Sequence, residues 1–167
     1  MQFSQEELVH ASHRVHEIVP PTPQHNWPLL RNYTGCEVWV KHENHTPTGA
    51  FKIRGGVIYL DSLMKRQPDC EGVIAATTGN HGQSIAVAAT AAGLRAVIVV
   101  PEGNNPDKNR AMVAQGAELE EYGQDFQESY DYAQTLATQQ NLHMVPSFHP
   151  DLVKGVASYA FELFNNT

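Results

Sequence analysis

Apolar runs and amphipathic segments alternate along the second half of the chain. The short apolar runs predict buried strands, and each is followed by a longer segment whose apolar residues recur every three or four positions, as on one face of a helix. In chain order the pattern predicts strand 72–77, helix 81–92, strand 96–100, helix 106–115, strand 118–122, helix 126–139 and strand 143–145. Because the links are short, we expect right-handed crossovers and a three-layer αβα arrangement with a mostly parallel sheet at about residues 68–147.

The flanking segments follow a different pattern. Residues 4–17 predict a helix with Ser4 as N-cap and Glu7 three positions on, and the prolines within 20–28 predict an extended connector. The remaining predicted elements are a strand at 37–41, an amphipathic helix at about 51–65 and a last helix at about 151–164. The predicted fold class is therefore α/β, with helical segments on both sides of the αβα unit.

Composition narrows the classes of partner. The 167 residues are 41% hydrophobic and 17% charged, which is typical of a folded α/β protein. The 11 Lys and Arg against 18 Asp and Glu give a net charge of −7, and no basic stripe stands out, so we expect no nucleic-acid partner. No apolar stretch approaches the roughly 18 residues of a membrane span, and the polar N-terminus lacks the apolar core of a signal peptide.

The cysteines and histidines point to a reducing compartment and to no metal. Cys36 and Cys70 are too few for a disulfide framework and lack metal-type spacing. His10, His13 and His16 recur every three residues on the first helix, but surface imidazoles explain them more simply than a metal site does. We therefore predict a cytoplasmic protein that has no metal site and no membrane partner.

Two glycine-bearing motifs carry the candidate chemistry. The first is TPTGAFKIRGG (46–56), in which Lys52 falls in the first turn of a predicted helix; a lysine amine attacks carbonyls when it is unprotonated. The second is ATTGNHGQS (76–84), at the carboxyl end of a predicted strand and the start of a helix. The free N–H groups of such a helix start bind anions, so this loop is a candidate cradle for a carboxylate or phosphate. Taken singly, each motif also has an ordinary explanation. The glycines of the second motif are explained as turn residues, and Lys52 as a solvated surface charge.

Together the motifs resemble those of a known family. TGAFKIRGG is similar to the lysine motif, and TTGNHGQS to the asparagine loop, of fold-type II pyridoxal-phosphate enzymes of the threonine dehydratase and serine racemase family. The likeness continues through IVVPEGNNPDKNRAMVAQGAELEEYG (98–123) to HPDLVKGVASYAFELF (149–164). It implies that residues 1–67 are the N-terminal part of a large domain with the cofactor lysine, 68–147 the small αβα domain, and 148–167 a helix returning to a partial large domain.

The resemblance also implies roles for individual residues. Lys52 would bond covalently to pyridoxal 5'-phosphate and later exchange a proton at the substrate Cα. Phe51 would pack against the pyridine ring, and Asn80 would hydrogen-bond the ring's 3′ oxygen. The substrate carboxylate would lie in the loop formed by Thr77, Thr78, Gly79, Asn80 and His81. The implied reaction removes a β-hydroxyl and the amine from threonine, serine or a related amino acid, giving a 2-oxo acid and ammonia, in an enzyme that is a homo-oligomer in its full-length form.

Two departures from the family pattern keep alternatives open. Racemases of the family carry a serine just before the loop glycine, where this chain has Thr78, so elimination is favoured over racemisation. The family also holds the cofactor phosphate in a tetraglycine loop on the C-terminal side, and no such run occurs in these residues, which leads us to expect an N-terminal fragment. The alternatives are a catalytically silent αβα module that binds an anion or a partner chain, and an amino-acid racemase.

Overall fold

The computed structural model describes residues 2–166, and its N-terminal part is mainly helical. Its elements are α1 (Gln5–His16), β1 (Gln24–Asn26), α2 (Pro28–Thr34), β2 (Trp39–Lys41) and α3 (Lys52–Arg66). The Ser4 capping box is present, because the Glu7 amide donates to Ser4 Oγ and the Ser4 amide donates to Glu7 Oε2. The connector predicted at 20–28 instead contains β1, which pairs antiparallel with β2.

The rest of the chain alternates strand and helix as predicted. Its elements are β3 (Gly72–Ala76), α4 (Asn80–Ala91), β4 (Arg95–Val100), α5 (Pro106–Ala114), β5 (Glu118–Glu121), α6 (Phe126–Gln139), β6 (His143–Met144) and α7 (Pro150–Asn165). The four strands are parallel, in the order β5-β4-β3-β6. The predicted α/β class is therefore confirmed.

The sheet has one hydrophobic layer on each face, because successive side chains of a strand point to opposite sides. Val73 and Ala75 of β3 belong to the cluster that includes residues of α3 and α4. Their neighbours Ile74 and Ala76 belong to a second cluster, with Ala133 of α6. Helices therefore cover both faces of the sheet, as the alternation predicts.

Helix α3 lies between α4 and α7, and glycines allow the close approach. A Cβ added to Gly56 would lie 2.7 Å from the Ser84 carbonyl oxygen of α4. A Cβ added to Gly155 would overlap the Arg54 carbonyl and lie 2.8 Å from the Gly55 Cα, both on α3. Backbone meets backbone at these two contacts, so they fix where α3 begins relative to the sheet.

The division into 1–67, 68–147 and 148–167 remains a prediction, and its first and last residues, Met1 and Thr167, lie outside the described residues. In the described range 2–166, every helix is too short or too polar to cross a bilayer.

Candidate active site

The Thr46–Phe51 turn delivers Lys52 to the first position of α3. The Thr46 hydroxyl donates to the Ala50 carbonyl at 2.9 Å and accepts from the Ala50 amide at 3.0 Å, which closes the turn. Gly49 has φ of 64°, a conformation that a side chain would disfavour. Lys52 itself is exposed, and Phe51 before it lies 6.0 Å from Tyr159, ring centre to ring centre.

The loop Thr77–Gly79 connects β3 to α4 at the carboxyl edge of the sheet. Thr77 is held by its amide, which donates to the Val99 carbonyl at 3.0 Å, and its hydroxyl accepts from the Gly79 amide at 3.1 Å. No side chain caps α4, which begins at Asn80. Its first N–H groups and the positive end of its dipole are therefore available to an anion.

The two motifs meet between α3 and α4. The Ser84 hydroxyl donates to the Lys52 carbonyl at 2.6 Å, so the first turn of α3 is fastened directly to α4. Lys52 and His81 line the same cleft, which has a volume of about 230 Å³. Its other walls are mainly apolar and include Phe51, Phe148, Leu152 and Val156.

The predicted site residues thus divide into two groups. Phe51, Lys52 and His81 line the cleft. Thr77, Thr78 and Gly79 form the adjoining loop and Asn80 begins α4, and none of these four residues lines the cleft. Of the four, Thr77 and Gly79 are buried, whereas Thr78 and Asn80 are exposed.

Sequence reasoning missed the wall contributed by the end of the chain. Leu152 and Val156 come from the start of α7 and Phe148 from the segment just before it, about a hundred residues after Lys52 in the sequence. The only available signal was the apolar spacing of Leu152 and Val156, which places them on one helix face but names no partner. The hydrogen bond from Ser84 to Lys52 was likewise not predicted.

His81 is a buried, uncharged imidazole at the cleft. Its side chain is 8% exposed, and its Nε2 atom has no hydrogen-bond partner within residues 2–166. Burial, together with the nearby charge of Lys52, lowers the pKa of His81 from its ordinary value of 6.5 to about 4. At neutral pH the cleft therefore offers a neutral ring nitrogen without a partner.

We expect His81 to remain unprotonated until the pH falls well below 6. Because its folded pKa lies below the ordinary value of 6.5, the unfolded chain binds a proton first, and stability falls as the pH drops from 6.5 towards about 4. An NMR titration of the imidazole resonances measures this directly. A His81 midpoint at the ordinary value of 6.5 would show that the imidazole is not buried in solution.

Comparison with known proteins assigns the class. The chain has a parallel α/β sheet, an uncapped helix start at the carboxyl edge of that sheet, and a lysine on the helix fastened to it. The family described as "Pyridoxal-phosphate dependent enzyme" matches residues 15–167. The chain belongs to this family, in its fold-type II branch with the threonine dehydratases, and pyridoxal phosphate is the cofactor, as predicted.

Individual relatives agree with this assignment. The chain is 35% identical to the biosynthetic L-threonine dehydratase of Pasteurella multocida over 91% of its own length and 30% of the relative. It is 33% identical to the L-threo-3-hydroxyaspartate ammonia-lyase of a Pseudomonas species, covering 100% of this chain and 53% of the relative. The chain thus spans about a third to a half of these curated relatives.

Solved structures give the same result. A pyridoxal 5'-phosphate-dependent aspartate racemase superposes with a TM-score of 0.92 and 27% identity, over 100% of this chain and 53% of that one. The processed form of threonine deaminase isoform 2 from Solanum lycopersicum superposes with a TM-score of 0.85 and 26% identity, over 99% and 50%.

The residues of the cleft fit the cofactor. Pyridoxal phosphate has a flat ring, an aldehyde and polar ring substituents, so it needs apolar walls, an amine and a few hydrogen-bonding atoms. The cleft supplies apolar walls, the Lys52 amine and the unpartnered Nε2 of His81. In the same part of the chain, residues 2–166, no group of three His, Cys, Asp or Glu side chains is arranged to hold a metal ion.

Proposed function

We propose that this chain carries the lysine side of the active site of an ammonia-lyase acting on threonine, serine or a related β-hydroxy amino acid. The observation that carries the proposal is that the Lys52 side chain lines one apolar cleft together with His81, at the uncapped start of α4. The names of the relatives, a threonine dehydratase and a 3-hydroxyaspartate ammonia-lyase, support the substrate class.

Each residue has a distinct task in this proposal. Lys52 would hold the cofactor through its amine, and the same amine would take the proton from the substrate Cα. Asn80 would donate a hydrogen bond to the cofactor, and Phe51 would supply an apolar wall for its ring. The bound cofactor supplies an electron sink for the charge that develops at Cα. The loop Thr77–His81 binds the substrate carboxylate through backbone N–H groups, which places Cα beside the lysine.

The uncharged state of His81 helps Lys52. A protonated imidazole beside the lysine would repel an ammonium and would also attract anions away from the loop. The neutral ring leaves the α4 dipole and the loop amides as the main anion-binding features beside the cleft. His81 therefore contributes its neutrality as well as its backbone N–H.

Racemisation is the second candidate. The likeness to an aspartate racemase favours it, since that protein shares the whole length of this chain in its fold. Racemisation needs an acid on the opposite face of Cα from the lysine, and a threonine hydroxyl at Thr78 is more hindered than a serine hydroxyl. We therefore place elimination first; formation of a 2-oxo acid from L-serine, measured against formation of D-serine, separates the two.

Covalent labelling tests the lysine. The chain is mixed with pyridoxal phosphate, reduced with borohydride, digested and mapped by mass spectrometry. We expect the label to concentrate on Lys52 and to fall to background at that peptide in Lys52→Ala. Lys65→Ala is the matched control, because Lys65 lies on the same helix but is 64% exposed and paired with Asp61.

The distribution of label decides between enzyme and silent module. Preferential labelling of Lys52 over Lys41, Lys65, Lys108 and Lys154 supports a competent site. Equal labelling of all exposed lysines, unchanged in Lys52→Ala, would favour the catalytically silent αβα module. The cytoplasmic location and the homo-oligomer stay predictions.

A further inference from the structure

A second lysine lies against the glycine of the anion-binding loop. A Cβ added to Gly79 would be 3.1 Å from Cδ of Lys108 and 3.5 Å from both its Cε and its Nζ. The Lys108 stem therefore runs over Gly79, and its ammonium ends beside the loop. Gly79 has an extended φ of 173°, so backbone strain does not require glycine there. The absence of a side chain leaves room for the lysine.

The first turn of α5 holds Lys108 in this position. The Asn105 side chain caps α5 by accepting from the amides of Asp107 and Lys108, at 2.9 and 3.2 Å. The next residue, Asn109, donates to Glu121 of β5 at 3.0 Å, which ties the turn to the sheet. The backbone from which Lys108 projects is thus fixed on both sides.

The ammonium of Lys108 has no anionic partner of its own. Among residues 2–166, no Asp or Glu oxygen lies within 4.0 Å of it. The adjacent carboxylate, Asp107, is paired with Arg110. An exposed lysine usually has water around it, but this one stands beside a helix start whose N–H groups are also uncapped.

The side chain of His81 is a third polar group in this part of the fold. His81 follows Gly79 by two residues, is 8% exposed, and has an Nε2 atom without a hydrogen-bond partner among residues 2–166. An anion at the loop would pair with the uncapped N–H groups and the Lys108 ammonium. His81 lines the cleft that adjoins the loop, on the side of Lys52.

We propose that Lys108 is a further substrate-binding residue, whose ammonium forms an ion pair with the substrate carboxylate bound by the Thr77–His81 loop. The inference rests on the proposed function, which places a carboxylate at this loop, and adds the charge that the backbone alone lacks. Lysine binds a carboxylate as a point charge, so a guanidinium at the same position should serve as well. The loop and α5 would then contact the ligand from two sides at the edge of the sheet.

The test uses anion binding to the cofactor-free chain. The carboxylate probe is 3-hydroxybutyrate, which has the carboxylate and β-hydroxyl of threonine but no amine, and the second probe is inorganic phosphate. Both are titrated into the chain while NMR follows the amides of Gly79, Asn80, His81 and Gly82. The variants are Lys108→Met, which keeps the stem without the charge, Lys108→Arg, and the exposed control Lys65→Met.

We expect Lys108→Met to weaken 3-hydroxybutyrate binding by roughly two- to fivefold at low salt, the range of an exposed charge pair. The difference should shrink at about 0.5 M salt, where the screening length falls below about 5 Å. Lys108→Arg and Lys65→Met should bind as the unmodified chain does. A purely structural role of Lys108 would not give this dependence on salt.

Three outcomes would overturn the inference. The first is equal binding of 3-hydroxybutyrate by Lys108→Met and Lys65→Met, and the second is no shift of the loop amides in the unmodified chain. The third is a response that depends on Lys108 for phosphate but not for 3-hydroxybutyrate, which would assign the ammonium to a phosphate. Because the titration needs neither cofactor nor Lys52, failed labelling of Lys52 would refute the proposed function separately. Dispersed spectra of Lys108→Met exclude unfolding as the cause of a loss.

Discussion

Replacing Glu162 with glutamine is expected to lower the free energy of unfolding by about 3 kcal/mol or more. Glu162, on α7, is buried and pairs with Arg54 of α3 and with Lys41 of β2, whose Nζ lies 2.8 Å from its Oε2. Arg54 is completely buried and also donates to Glu43 at 2.7 and 2.9 Å. The substitution keeps the shape but leaves Arg54 with Glu43 alone and buried Lys41 without a carboxylate among the described residues. Unpaired buried charge costs about 3–5 kcal/mol.

The Glu162 carboxylate should also make the free energy of unfolding depend on pH in the acid range. Burial alone raises the pKa of Glu162, but hydrogen bonds from Arg54 and Lys41 outweigh burial and hold the pKa below its ordinary value of 4.5. Because the folded pKa is the lower one, the stabilisation is complete above about pH 4.5 and is lost as the pH falls through the folded pKa. Glu162→Gln should therefore show a shallower loss of stability in that acid range.

Urea unfolding followed by circular dichroism measures both effects. Glu118→Gln is the matched control, because Glu118 pairs with Arg95 at 2.6 Å on the exposed edge strand β5, where the two side chains are 56% and 42% exposed. That pair should be worth less than about 1 kcal/mol. Equal losses for Glu118→Gln and Glu162→Gln would show that the buried network contributes no more than a surface pair.

The sequence predicts the strand and helix alternation because its signals are local. Val73 to Ala76 form an unbroken apolar run, as a strand buried on both faces requires, and a helix-period pattern follows it. Helix starts are local in the same way: Ser4 caps α1 and Asp125 caps α6 through contacts three residues away. Helix α3 has no side-chain cap, and the position of Lys52 in its first turn was predicted from the amphipathic pattern that follows it.

Helix α2 shows where local signals were overlooked. Pro28 stands at its first position and Gly35, with φ of 76°, ends it, which is the usual asymmetry of helix ends. The prolines before Pro28 drew the prediction towards an extended connector. Strand β1 lies in that connector, but its pairing with β2 depends on a register that no local signal fixes.

The site was predictable in its chemistry and not in its surroundings. The motifs predicted that Lys52 and the Thr77–His81 loop lie together, and His81 does share a cleft with Lys52. The apolar wall from α7 and the contact of Lys108 with Gly79 were not predictable, because each joins residues far apart in sequence. Such contacts depend on how the helices stack on the sheet, and periodicity identifies a buried face without naming the neighbour.

The last prediction concerns the contact that positions this wall. Gly155→Ala is expected to destabilise the fold by about 2 kcal/mol or more, although Gly→Ala inside a helix ordinarily stabilises by about 1 kcal/mol. The added methyl would overlap the Arg54 carbonyl and lie 2.8 Å from the Gly55 Cα. Both neighbours are backbone atoms of α3, so no rotamer change relieves the overlap, and α7 has to move away from α3.

This displacement should also affect the cleft, because Leu152 and Val156 of its wall flank Gly155 on α7. We therefore expect weaker labelling of Lys52 by pyridoxal phosphate in Gly155→Ala, together with a lower urea midpoint. Lys154→Ala is the matched control, because it adds an alanine one position earlier. It loses the ion pair with Glu7 and the contact with the Phe3 ring, 5.7 Å from Nζ to the ring centre, and should change stability by less than about 1 kcal/mol. If Gly155→Ala were as stable as the unmodified chain or more so, the helix propensity of alanine would outweigh the contact, and the close approach of α3 and α7 at Gly155 would not exist in solution.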